Sequence, residues 1–227
     1  EKNNLYQEIE NSSVMYDEVC VIFTNAALYY NNYLEGNLRN YKKRWNHLKY
    51  VLLYLDVVDT GVSKNANYLR AHDMFEAVYT IEQADADHIG AEFVMTPYSY
   101  IESMNTKSIH DLYFCGASKH RSEIIAECAA ACKREKIDAE MDVVSYEDKN
   151  MLTEYPEIVL LHEPGQFSTY SRVLKKTLLA KCILEIVQPG QMALTLRAYE
   201  AVCYNRKLLT NNRAVLSFPY YDPKYMP

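Results

Sequence analysis

The sequence predicts an α/β protein built on two open, parallel sheets. Three observations carry this. Apolar runs of strand length alternate with helix-period stretches along the chain, the pattern of βαβ units. A polar, irregular segment at 97–108 splits the alternation into two series. No stretch repeats at the periods of about 20–50 residues that mark solenoids and propellers.

In the first series, YDEVCVIFT (16–24) is a strand. Residues 31–47, polar, aromatic and basic, form a surface helix. YVLLYLDVV (50–58) is continuously apolar, which predicts a strand buried on both faces. Residues 65–75 make a short helix and AVYTI (77–81) a strand. Residues 82–89 make a helix that Gly90 closes. EFVMT (92–96) is a strand ended by Pro97.

The second series opens with the strand DLYFCGA (111–117). Residues 120–133 are a helix whose stripe is Ile124, Ile125, Cys128, Ala129 and Cys132. AEMDVVS (139–145) and EIVLLHE (157–163) are strands, 170–181 a helix and CILEIVQ (182–188) a strand. Residues 195–205 form a helix and KLLTN (207–211) a strand, with an irregular tail beyond. The expected organisation is therefore two Rossmann-like domains. Residues 1–107 hold the first with the linker, and 108–227 the second.

Composition excludes several classes. The chain has 49% apolar and 24% charged residues, so it folds. A net charge of −6 lacks the field of a nonspecific nucleic-acid binder. No apolar run approaches the 18 or so residues of a membrane span. The 6 Gly rule out GxGxxG and GxxxxGK[ST] phosphate loops, since neither motif occurs. The 6 Cys include no CxxC and most sit in apolar runs, which reads as buried thiols in a reducing cytoplasm. Cys128 and Cys132 share a helix face, but no second Cys/His pair completes a metal site, so they read as core.

In open α/β sheets ligands bind beyond the carboxyl ends of strands, where helix N-termini offer N–H groups. Two such places stand out. In CGASKHR (115–121), Gly116 permits a close turn, Ser118 offers a hydroxyl, and Lys119 and Arg121 are cations suited to a phosphate. In the block 183–212, a Pro-Gly turn leads into a helix with Thr195 as its N-cap. Arg197 falls in that helix's first turn, where the dipole disfavours a cation, and this points to an anionic partner.

The block CILEIVQPGQMALTLRAYEA…KLLTNN resembles the donor signature of GT-B glycosyltransferases: a strand and loop, a helix carrying Glu-Ala (Glu200-Ala201), then a short strand. Its form is similar to enzymes of bacterial capsule and lipopolysaccharide synthesis, as is YTIEQADADHIGAEFVMTPYS upstream. The likeness covers most of the chain from about Tyr50 and is specific within 182–212. It implies sugar transfer from a nucleotide-sugar donor to a glycan or lipid-linked acceptor, with no metal or other cofactor. Glu200 would bond the ribose hydroxyls, and removing it would leave the fold intact. Gly190, Gln191, Leu194, Thr195 and Arg197 would approach the diphosphate or sugar, and Ser118, Lys119 and Arg121 the leaving diphosphate. His162 would face the donor's base or the cleft, or serve the structure. Two positions depart from the signature. Met192 stands where an acidic residue is common and Ala193 where Gly is, so stereochemistry does not follow.

An inverting transfer needs a base, and Asp56, Asp59 and His72 near the apolar strand are the candidates, against roles as caps, turns or surface residues. Asp85-Ala-Asp87 matches D-x-D, but residues two apart on a helix diverge by about 200°, so it reads as a solvated face. The basic, aromatic run NLRNYKKRWNHLKY (37–50) suits an anionic membrane surface, with a solvated helix as the alternative. The expected location is cytoplasmic or peripheral at the inner membrane face. A catalytically silent nucleotide-sugar binder competes with the enzyme, and a flavodoxin-like module fits less well. A two-domain GT-B enzyme is usually longer. An early N-terminal β-α unit and a closing C-terminal helix are therefore expected to be missing.

Overall fold

The computed structural model describes residues 2–25, 35–55, 57–58, 72–102, 106–144, 150–161, 169–188 and 191–227. Two compact units meet the eye, Glu1–Thr96 and Pro97–Pro227.

The first unit carries a parallel sheet of β1 (Val19–Thr24), β2 (Leu48–Tyr54), β3 (Ala77–Thr80) and β4 (Glu92–Phe93), in that spatial order. With it come α1 (Lys2–Met15), α2 (Glu35–Arg44) and α3 (Gln83–Ile89). Helix α1 is absent from the sequence reading. Its apolar stripe is short, Leu5, Tyr6 and Ile9, and it is held by packing of Ile9 against a core that includes Val19, Phe23, Leu38 and Leu48.

Strand β2 is not buried on both faces. Leu48, Tyr50, Leu52 and Tyr54 are buried, while Val51 and Leu53 are half-buried and Ile22, opposite Val51, is 65% exposed. One face seals the core and the other is partly covered. The two tyrosines are satisfied inside: Tyr50 donates to the Leu38 carbonyl at 3.1 Å, and Tyr54 Oη bonds His72 Nε2 at 2.8 Å.

Gly90 closes α3 in the left-handed region, φ 66°, with its N–H bonded to the Ala86 carbonyl. Asp87 is exposed, but Asp85 accepts from the Val58 N–H at 2.8 Å, so the pair is not simply a solvated face. Three of the four basic charges of α2 are matched locally. Arg39 forks onto Asp73, Lys42 bonds Glu76 and the Met74 carbonyl, and Arg44 meets Glu10 at 2.7 Å. Among the described residues no helix is long and apolar enough to cross a membrane.

The second unit alternates β5 (His110–Ala117), α4 (Ser122–Glu135), β6 (Ala139–Val144), α5 (Asn150–Thr153), β7 (Ile158–Leu161), α6 (Tyr170–Leu178), β8 (Ala180–Glu185), α7 (Leu196–Cys203) and β9 (Lys207–Thr210). Its strands are all parallel, in the order β7-β6-β5-β8-β9. Ile125, Ala129 and Cys132 of α4 pack on Leu112, Phe114 and Met141 of the sheet. The segment read as a linker is packed onto α7 and the residue after it. Tyr98 stacks on Tyr199 at 5.9 Å, and Tyr204 Oη accepts from the Ile101 N–H at 3.0 Å. The tail folds back, with Leu208 N–H bonded to the Tyr225 carbonyl and Met226 buried, which shields the edge strand β9.

The thiols are not uniformly buried. Cys132 is buried, Cys115, Cys128 and Cys182 are half-buried, and Cys20 and Cys203 are exposed. Cys20 sits on the outward face of the edge strand β1, where an apolar run says nothing about which side is covered.

Candidate active site at a strand-order switch

The chain leaves β5 toward β6 and β7 on one side, and β8 returns to pair with β5 on the other. Connections diverge from this point, which opens a crevice at the carboxyl ends of β5 and β8. A cavity of about 250 Å³ lies there. Phe114 and Cys115 of β5 and Glu185 of β8 form its floor. Arg121, Gln191, Thr195 and Arg197 reach it from the loops and helix starts above. A second cavity of about 410 Å³ shares Arg121 and Gln191 and extends to His120 and Asn211.

Gly116 does not make the turn expected of it. It lies within β5, and the turn is made by Lys119 and His120, with φ of 38° and 63°. What a side chain there would do is crowd its neighbours. A Cβ at 116 would stand 3.2 Å from Phe114 Cζ and 3.3 Å from Arg121 Nη2. The guanidinium lies close over the strand, and its Nε and Nη2 donate to the Ala117 carbonyl at 3.0 and 2.7 Å while Nη1 donates to that of Ile186. Arg121 thereby ties the ends of the two central strands together. Ser118 is fully buried and serves the same turn, donating its N–H to the Val144 carbonyl and accepting from the Arg121 N–H.

Thr195 caps α7 as expected, accepting from the Arg197 N–H at 3.0 Å. Its hydroxyl also donates to Glu185, whose other oxygen accepts from Thr210. Asn212 extends this frame, donating to the Ala193 carbonyl at 2.9 Å and accepting from the Ala214 N–H. Glu185, only 4% exposed, thus fixes the start of α7 and the end of β9 on the central strand. Burial raises its carboxyl above the ordinary 4.5, against the pull of the two hydroxyls and of Arg197 and Arg121. A carboxyl raised on folding contributes stability that is full below pH 4.5 and is lost as pH climbs through the folded value. Glu185→Gln removes that loss. In urea titrations the wild type should be at its best relative to Glu185→Gln at pH 4.5 and lose ground by pH 7.5. An equal gap at both pH values would refute this.

Arg197 has its anion already. It pairs with Glu200 on its own helix, three residues on, and donates to Thr177 Oγ1 at 3.1 Å. Burial disfavours its charge, yet Glu200 outweighs that and raises it further. Glu200 has no exposed surface. Its Oε1 accepts from the Tyr170 hydroxyl at 3.0 Å. Burial raises the Glu200 carboxyl, with Arg197 and Tyr170 opposing.

The structure therefore gathers Arg121, Gln191, Thr195 and Arg197 around one cavity. Lys119 is exposed, and Leu194 packs instead against the cluster of Ile183, Ala198 and Leu208. Asp56, Asp59, His162 and Gly190 lie outside the described residues. His72 bonds Tyr54 and the Ile89 backbone, and burial lowers its pKa, so its imidazole is neutral at pH 7. Glu185 and Tyr170 join the site without a place among the residues the sequence predicts. A glutamate inside the apolar run CILEIVQ was the visible signal for the first. Nothing local singles out Tyr170 among the 21 tyrosines.

Solved structures share this architecture. An alpha-glucosyltransferase in complex with UDP and a 13-mer DNA containing a HMU base matches with a TM-score of 0.57 at 8% identity, over 91% of this chain and 64% of that one. TarM matches with a TM-score of 0.51 at 12% identity, over 96% of this chain and 47% of its own. The fold is GT-B-like. At these identities the likeness is one of fold, and the chain spans about half to two thirds of the length of these GT-B-like neighbours. No protein-family model and no curated protein matches the sequence.

Proposed function

We propose that the chain belongs to a glycosyltransferase that takes a nucleotide-sugar donor on its C-terminal unit. The observation that carries this is the cavity at the β5/β8 switch, where Arg121, the α7 N-terminus and Gln191 converge. A departing nucleoside diphosphate is favoured by a cation and the positive end of a helix, and this place offers both. The donor-like block 182–212 frames the same cavity, which supports the reading independently. On this view residues 108–227 hold the donor and 1–107 the acceptor, a glycan or lipid-linked sugar of bacterial surface polysaccharide. Arg121 and the helix terminus do the work that a metal does elsewhere, and no cofactor takes part. Membrane contact by α2 rests on Lys43 more than on Lys42 and Arg44, whose charges are matched within the unit.

A silent nucleotide-sugar binder is the second reading. Met192, 60% exposed at a position where an acid is common, favours it. Thermal shift with UDP, GDP, CMP and their sugars is the direct test. A binder gains about 2.7 kcal/mol at 100 times its Kd, so the melting point rises with ligand concentration. No shift with any nucleotide would sink both readings, and donor hydrolysis by a binder separates enzyme from silent relative.

A further inference from the structure

The two oxygens of Glu200 are held by very different partners. Oε2 is locked by Arg197, a largely buried guanidinium that is itself braced by Thr177 of α6. Oε1 is held by the hydroxyl of Tyr170, at the very start of α6. That side chain is 41% exposed, whereas Glu200 has no exposed surface at all. A buried carboxylate keeps both oxygens hydrogen-bonded, since an unmet one costs its full desolvation. Of the two partners Tyr170 is the exposed one, so among the described residues a ligand hydroxyl comes to Oε1 by moving the Tyr170 hydroxyl aside. Arg197 stays where it is, held from two sides.

We propose that Tyr170 is a positioning residue that holds the place of a ligand hydroxyl on Glu200. Entry of a hydroxyl-bearing group, here the ribose of a nucleotide, is then an exchange of one O–H donor for another. This rests on the donor reading above. The chemistry is matched on both sides. Burial and the neighbouring Glu200 push the Tyr170 hydroxyl up to about 12, so it stays protonated and donates, as a sugar hydroxyl does. When displaced it has somewhere to go, because Tyr98 Oη already lies 3.4 Å away on the exposed side. The exchange makes the resting site self-satisfied and selective. A ligand lacking the hydroxyl cannot repay the lost bond, and water is kept off the carboxylate until one arrives.

The test is calorimetric titration of the full chain and of Tyr170→Phe with UDP, GDP and CMP, and with their 2′,3′-dideoxy counterparts. Tyr170→Phe leaves Oε1 without its donor, so the free protein should melt lower by about 2–4 °C. The ribonucleotide that binds wild type should bind the variant about five- to ten-fold tighter. The dideoxy form should show little of that gain. Tyr170→Leu, which also lacks the donor, should behave alike if Tyr170→Phe does not fold. Equal or weaker ribonucleotide binding by the variant overturns the exchange and leaves the donor reading standing. So does an equal gain for both forms, which would mean only a loosened pocket. Failure of the wild type to bind any of the three overturns the donor reading and the exchange with it.

Discussion

Glu200→Ala destabilises the C-terminal unit by about 3–5 kcal/mol, the cost of stranding one partner of a buried ion pair. Arg197 would be left with Thr177 and no anion, its side chain only 17% exposed. Tyr170 would lose its acceptor at the same time. Urea unfolding followed by far-UV circular dichroism should show the transition move to lower urea. Fluorescence of Trp45, the single tryptophan, reports the other unit and should move less. Glu200→Gln keeps an acceptor of the same shape and should lose only about 1–2 kcal/mol. A change below about 1 kcal/mol in the alanine variant would mean that the pair is solvated and worth little. This reverses the simplest expectation for a ribose-binding glutamate, that it can be removed without structural cost. Lost nucleotide affinity in Glu200→Ala would report unfolding as much as contact, which is why Tyr170 offers the cleaner lever.

The alternation of strands and helices was legible because each element buries a face whose period the sequence displays. The stripe of α4 and the N-cap at Thr195 are local rules, and the structure shows both. Gly90 was legible for the same reason, as a left-handed closure next to a periodic helix. What escaped depends on distance. Glu185 meets Thr195 and Thr210, ten and twenty-five residues on, and no local pattern announces either bond. Tyr98 reads as part of a polar linker until Tyr199, 101 positions later, supplies a ring to stack on. Arg197 was a near miss. Its i+3 partner was in plain view, but such a pair on an exposed helix is worth only about 0.2–0.5 kcal/mol. Burial alone turns it into a dominant contact, and burial was not in the sequence. Gly116 follows an apolar strand, where a turn is the local reading, but what it supplies is room for Phe114 and Arg121.

Arg121→Ala should lower the rate of sugar transfer, or of donor hydrolysis, by about 10²–10³-fold, the usual loss when one charge-stabilising donor is removed from a leaving group. Two cations reach the cavity, Arg121 just before α4 and Arg197 in the first turn of α7. Arg197 faces a carboxylate on its own helix, whereas the strand-end bonds of Arg121 go to the carbonyls of Ala117 and Ile186. These bonds hold the guanidinium in the lining of the cavity. Those same bonds tie the ends of β5 and β8, so the substitution also loosens the walls that define the cavity. Arg121→Lys separates the two contributions. It keeps the charge but not the planar fork that spans both carbonyls, and should stay at least about ten-fold below wild type. If Lys restores full activity, charge alone matters and the bridge is incidental. If alanine itself is harmless to the rate while the ribonucleotide still binds, the diphosphate leaves elsewhere, and the switch-point cavity binds the donor without helping it react.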